Sequence, residues 1–232
     1  MGKMADLNFE NPEEFYLQKL EESKGMCQTT LYNLAYLYKK TNRLQEAHIL
    51  TSRLLELCVN DEQRSASLFT LGQIMEDMDD YARAAEYYRQ AYSMKSFDQQ
   101  TRYFINNNLG FCLNQLKRFE EAKGYLFSAL KIDPNLPNAY KNLGLCYWGL
   151  EEYVKTVRCF IAATKAYPAD RRSVEHLEEL IDEHPELSAD IPAFVEGANS
   201  CKDTLELAQK MQPDFDAYWE ELRINNKTSI DS

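Results

Sequence analysis

His176, Glu179, Glu183 and His184 are where chemistry would first be sought, because imidazoles and carboxylates within two helical turns can hold a divalent metal. The two histidines stand eight residues apart on a segment of helical periodicity, however, and that is also the spacing of a solvated helix face. The metal reading is therefore rejected. The thiols Cys27, Cys58, Cys112, Cys146, Cys159 and Cys201 are scattered and include no C-x-x-C pair, so they are expected to be free and to serve as small apolar residues in a reducing compartment. Cys112 and Cys146 fall at equivalent places on successive helices, which pack about 8–10 Å apart. That lies beyond the roughly 7 Å between α-carbons that a disulfide spans, so both are read as core fillers. The chain has no phosphate-cradling glycine loop, no H-E-x-x-H and no G-x-S-x-G. The acceptor pattern Asn226-Lys227-Thr228 means nothing without secretion. No catalytic residue, metal ligand or cofactor is assigned.

The elements that would position any site show themselves through a repeat. Gly110 and Gly144 are 34 residues apart, and Leu109 to Leu143, Ala129 to Ala163 and Pro134 to Pro168 keep the same offset. Leu71-Gly72 and Leu34-Ala35 extend the pattern backwards once extra residues are allowed in the polar stretches SFDQQ (96–100) and CVNDEQ (58–63), which read as loops. Within 137–170 the periodicity is helical twice over. Tyr140, Leu143, Gly144 and Tyr147 share one face, and Tyr153, Val157, Phe160, Ile161 and Ala163 share another. The short polar link GLEEY between them suits an antiparallel helix pair, and Pro134 and Pro168 end the second helices.

The pattern Tyr140…Leu143-Gly144…Tyr147…Phe160…Ala163…Pro168 resembles a tetratricopeptide repeat, and Leu109-Gly110…Ala122…Ala129…Pro134 resembles the unit before it. Looser matches, Leu71-Gly72…Ala84…Tyr88…Ala91 and Leu34-Ala35…Tyr38…Ala47, make four units: 28–64, 65–102, 103–136 and 137–170. Thr156 stands where the pattern prefers alanine, and the first unit lacks the closing proline. The resemblance implies an all-α fold, a right-handed α-solenoid of stacked antiparallel helix pairs. In such a repeat the small eighth residue lets the two helices of a unit cross closely, offsetting glycine's cost of about 1 kcal/mol in a helix.

The array is expected to be capped at both ends. In 1–27, Asn11-Pro12-Glu13-Glu14 starts a helix that runs to about Lys24 and ends at Gly25. In 171–232, a helix over 171–184 carries Val174, Leu177 and Ile181 on one face but Glu178 at the eighth position, where a close crossing cannot form. It reads as a solvating cap. Two more helices are expected, 191–211 and 215–224. The latter carries Phe215, Tyr218, Trp219 and Leu222, and could pack on the cap, in the groove or on another chain.

In the family so resembled, first helices line a concave groove. Carried over residue by residue, the register implies a peptide-binding face of Asn33, Tyr36, Phe69, Thr70, Asn107, Asn108, Phe111, Asn138, Lys141, Asn142 and Trp148, with Tyr32 and Phe104 beside them. One position reads Asn33, Thr70, Asn108, Asn142. A side-chain amide both donates and accepts, so such a row can satisfy the backbone of an extended peptide, and the aromatics around it would anchor its side chains. Family members that grip a chaperone's C-terminal carboxylate place Lys and Arg at sites that are here Phe69, Gln73, Asn108, Asn138 and Asn142, which argues against that partner.

Composition narrows the partner further. Against 26 Lys+Arg stand 37 Asp+Glu, a formal charge of −11, which speaks against nucleic acid and against an anionic membrane surface. No apolar run reaches the roughly 18 residues of a membrane span, and the first fifteen residues have no signal-like apolar core. The expectation is a cytoplasmic, non-enzymatic adaptor, scaffold or chaperone that binds an extended protein segment. A self-assembling scaffold whose groove takes a neighbouring subunit's segment is the rival, and an enzyme's accessory subunit a more distant one.

Overall fold

Helices start at a capping Asn or Asp or at a proline in several places, Asn11, Asn60, Asp80, Asp98 and Pro137, and others start straight from the turn inside a helix pair. The computed structural model describes residues 11–94, 98–189 and 191–199, in two compact units, 1–97 and 98–232. Among the described residues every regular element is helical. The first unit holds α1 (Pro12–Glu22), α2 (Gln28–Lys40), α3 (Leu44–Glu56), α4 (Asp61–Asp77) and α5 (Tyr81–Ser93). The second holds α6 (Gln99–Gln115), α7 (Phe119–Ile132), α8 (Pro137–Gly149), α9 (Tyr153–Ala166), α10 (Arg172–Glu183), a 3₁₀ turn (Pro185–Ala189) and α11 (Ile191–Asn199). The fold is an all-α solenoid of helix pairs, and α1 starts as expected, with Asn11 accepting from the Glu14 amide at 3.3 Å.

Two stretches read as loops are partly helix. Asn60 accepts from the Gln63 amide at 2.8 Å and Asp98 from the Thr101 amide at 2.7 Å, so α4 and α6 start inside the polar insertions. The extra residues lengthen the first helices of those pairs instead of widening the gaps between pairs.

The turn inside each pair repeats to the atom. Asn42, Asp79, Lys117 and Glu151 all sit in the left-handed region, with φ of 59°, 58°, 58° and 61°. The next amide reaches back to the helix: Arg43 to Tyr38 O at 2.8 Å, Asp80 to Met75 O at 2.9 Å, Arg118 to Leu113 O at 2.8 Å, Glu152 to Tyr147 O at 2.9 Å. These bonds satisfy carbonyls that a helix end leaves open.

In the first unit the core is Leu31, Leu34, Ala47, Leu68, Leu71, Ile74, Ala84 and Tyr88. In the second it is Tyr103, Leu109, Leu113, Leu126, Phe127, Tyr140, Leu143 and Phe160, with Leu180 and Leu187 beyond. The glycines do a different task from the one expected. A Cβ on Gly72 would stand 2.5 Å from the Tyr88 ring, and one on Gly144 2.6 Å from the Phe160 ring. The absent side chain is filled by a large ring from the second helix, so the close approach is of ring to backbone. Cys112 and Cys146 are buried free thiols, and the Cys146 sulfur donates to Phe119 O at 3.0 Å while burial pushes its pKa up to about 12. Cys201 lies outside the described residues, as do 215–224 and most of the expected helix beyond Asn199.

The face expected for α10 is corrected. His176 and His184 are half-buried and do not share a solvated face: His176 stacks on Phe160 at 5.6 Å with Trp148 edge-on at 6.4 Å, and His184 lies against Tyr153 at 3.9 Å. Imidazole is flat and half apolar, so it lies against rings as α10 closes over α9.

Candidate functional site

The residues expected to bind a peptide fall into two groups, one in each unit. On the first unit, α2 leaves Tyr32 and Tyr36 uncovered at 54% and 44% exposure, with Asn33 half-buried between them. Spacing of four residues stacks the two rings on one helical face. The Lys40 ammonium sits over the Tyr36 ring at 5.5 Å. Helix α4 runs alongside and is tied to α2 by Lys39, whose ammonium donates to Gln73 Oε1 at 3.2 Å and pairs with Asp77 at 3.4 Å. Phe69 is half-buried and tilts onto Tyr88 at 5.8 Å. Thr70 gives its hydroxyl proton to Ala66 O at 2.9 Å, so towards a partner it can only accept.

One group in this unit lies outside the expected set of binding residues. Glu76 receives the Tyr88 hydroxyl at 2.8 Å, and burial raises its pKa above the ordinary carboxylate value despite that hydrogen bond. The signal was a carboxylate that directly follows the apolar pair Ile74-Met75 on a helix. Nothing in the spacing says that a tyrosine from the paired helix would cover it.

On the second unit the asparagines differ from expectation. Asn107 and Asn142 are both only 5% exposed and bond to each other: Asn142 Nδ2 donates to Asn107 Oδ1 at 3.0 Å. Asn107 Nδ2 in turn donates to Asn108 Oδ1 at 3.0 Å, and Asn114 Nδ2 donates to the Asn142 carbonyl at 2.7 Å. The amides form a directed chain across α6 and α8. The reason is geometric: the facing sides of two adjacent first helices bury these positions, and buried amides must find partners. The reading of Asn107 and Asn142 as freely exposed amides is corrected to a seam between helices. Asn108, at the chain's accepting end, is half-buried.

The remaining side chains are graded in exposure. Phe104 packs edge-to-face on Tyr103 at 5.4 Å, and Phe111 is half-buried. Asn138 and Lys141 are half-buried on α8. Trp148 lies against the cluster Val157, Ile161, Leu180 and Leu187 and meets Phe160 edge-on at 6.3 Å, so most of its role is to hold the cap. Arg172 and Asp170, at the start of α10, stand near Lys141 electrostatically. Repeat spacing could not have placed them, because they lie at the margin of the register. No described helix is long and apolar enough to cross a membrane, and no cluster of three metal-ligating side chains occurs among the described residues.

Two models of the tetratricopeptide repeat match the chain, over residues 27–96 and 105–136. A tetratricopeptide repeat-containing protein of Caenorhabditis elegans, trd-1, is 28% identical over 152 residues, which is 66% of this chain and 17% of that protein. The BBSome complex member BBS4 of Mus musculus is 29% identical over 120 residues, 50% of this chain and 21% of its own length. The chain thus spans about a fifth of the curated relatives it matches. Among solved structures, MamA from Desulfovibrio magneticus RS-1 superposes with a TM-score of 0.60 at 17% identity, over 79% of this chain and 96% of that one.

Proposed function

Since the chain is a tetratricopeptide-repeat protein, we propose that it is a non-catalytic interaction scaffold that takes an extended segment of a partner protein along the first-helix faces of its repeats. The observation that carries this reading is the uncovered aromatic pair Tyr32 and Tyr36, on the same first-helix face as Asn33 and beside α4. Packing needs within the unit are met by Leu31, Leu34 and Ala35 on the opposite side of α2. Two large rings left in water on one face are the kind of anchor that interfaces use. Within the second unit, Asn108, Phe111 and Asn138 lie on first helices of its own, with the buried amide seam holding α6 and α8 so that their outer side chains are preset. Similarity to a named component of a multi-protein complex agrees with a scaffold role.

The test is selection of binders from a random-peptide display library on the full chain, followed by titration calorimetry of the selected peptides. Tyr36→Ala and Phe111→Ala should each weaken binding at least tenfold without lowering the melting temperature. Selected peptides that bind all variants alike would place the contact elsewhere. A chain that selects no peptide, and whose mass by light scattering rises with concentration, would favour self-assembly.

A further inference from the structure

Ile49 stands 65% exposed on α3, whose buried side is supplied by Ala47 and Thr51. Ser52, Arg53 and Glu56 follow it at helical spacing and share its face. With His48, Leu57 and Met26 they line an open cleft of about 470 Å³. Met26, in the link between α1 and α2, is itself 58% exposed. None of the residues expected to bind a peptide lines this cleft, which belongs to a second helix. A glycine places Arg53 in it. Gly25 has φ of 74°, and its amide closes α1 on Leu20 O at 2.7 Å. A Cβ there would stand 2.6 Å from Arg53 Nη2 and 2.8 Å from Cζ, so the guanidinium fills the space of the missing side chain. The fork is held without its donors being used: Arg53 makes no hydrogen bond or ion pair with any described residue, and neither does Glu56. His48 is not a second cation at neutral pH. Burial lowers its pKa, Arg83 adds to that, and its Nε2 lies 3.5 Å from the Tyr87 hydroxyl.

Apolar surface beside a held guanidinium with free donors fits one kind of occupant. The planar fork matches a carboxylate through two parallel hydrogen bonds. Met26, Ile49 and Leu57 offer thioether and aliphatic surface that a bulky side chain would take out of water. Glu56 in the same lining, and a formal charge of −11 over the chain, disfavour an acidic run but leave room for one carboxylate against Arg53. We propose that this cleft docks a segment of a partner protein in which a bulky apolar side chain stands next to a single acidic residue. The site is separate from the first-helix face and stands whether or not that face binds. With both in use, the chain holds two segments at once and bridges their owners.

The experiment isotope-labels the methionine methyls of the full chain for NMR, assigns the Met26 signal with Met26→Leu, and titrates with peptides selected from a random display library. Peptides that carry Asp or Glu beside Leu, Met, Phe or Trp should move the Met26 signal. Ile49→Asp should abolish their binding, and Arg53→Gln should weaken it about fivefold, the upper range for an ion pair at a surface. Arg53→Lys should not restore it fully, because an ammonium lacks the fork, and Glu56→Gln should strengthen it. Exchanging the peptide's acidic residue for its amide should cost the wild type the same factor and cost Arg53→Gln nothing. Melting curves of each variant check that the fold persists, and the peptide exchange decides the matter even if Ile49→Asp does not fold. A library that yields no peptide moving Met26 would overturn the cleft, and peptides weakened by Tyr36→Ala or Phe111→Ala would still leave the first-helix face standing. Peptides that move Met26, with none sensitive to Tyr36→Ala or Phe111→Ala, would keep the cleft and remove that face. A Met26 signal that shifts with chain concentration would give the cleft to a second copy. One that shifts on Phe9→Asp or Trp219→Asp without peptide would give it to the chain's own residues. Either result would overturn the partner segment.

Discussion

Asn142 and Asn107 show how one hydrogen bond changes what a side chain is for. Their amides face each other at 5% exposure, so truncating one strands the other in a dry seam. Asn142→Ala should therefore destabilise the chain by about 1–3 kcal/mol, the cost of an unsatisfied buried polar group, read from a urea melt. Asn108→Ala, at the outer end of the chain, should cost much less. Glu76 is the opposite case, a carboxylate that the fold would hold more easily uncharged. Its folded pKa is raised above the unfolded one, so its favourable contribution is complete below the ordinary carboxylate range and is lost as pH rises through the raised value. Glu76→Gln keeps an acceptor for the Tyr88 hydroxyl and removes the desolvated charge. It should raise the melting temperature at neutral pH and flatten the stability profile above the ordinary carboxylate range. An unchanged profile would mean that Glu76 is fully solvated.

At the scale of the element, the intra-pair turn is the recurring device, and two copies use residues poorly suited to it. Left-handed backbone costs a non-glycine residue about 1–2 kcal/mol, less for Asn and Asp. Lys117 and Glu151 bear that cost at φ of 58° and 61°. Glu151→Gly should stabilise by up to about 1 kcal/mol once glycine's greater unfolded freedom is subtracted. A thermal melt decides it, and a loss of stability would show that the Glu151 side chain makes a contact worth more than the backbone relief. Gly144→Ala should do the reverse. The added methyl meets the Phe160 ring at 2.6 Å, and overpacking of this kind costs about 1–3 kcal/mol.

Over the whole molecule, each unit buries its own core of helix pairs, and α10 with the 3₁₀ turn seals the second through Leu180 and Leu187 against Val157 and Ile161. The expected aromatic helix at 215–224 lies outside the described residues. Its removal should leave those cores intact. A chain ending at residue 212 is expected to keep its helical circular-dichroism signal and a cooperative melt within a few degrees of the full chain. Loss of cooperativity would make that segment part of the fold.

Repetition made the architecture legible before any coordinates. Small residues recurring with apolar partners at helical spacing allow one packing solution, because a helix pair with a notch at Gly110 or Gly144 must receive something there. Asn11 and Asn60 likewise announced helix starts in a local code of side chain to amide, although Asn60 was read as loop. What periodicity cannot resolve is which neighbour uses a shared surface. Phe160 fills Gly144 in place of a backbone, Asn107 answers Asn142 across two helices, and His176 finds Phe160 in place of solvent. Each of these depends on a distance between residues far apart in the chain, to a tolerance of about an ångström, the range over which a hydrogen bond or ring contact is made or lost. Spacing along one helix carries no such information. The faces were therefore set by sequence, and tertiary packing alone decided which of their side chains remained open to a partner.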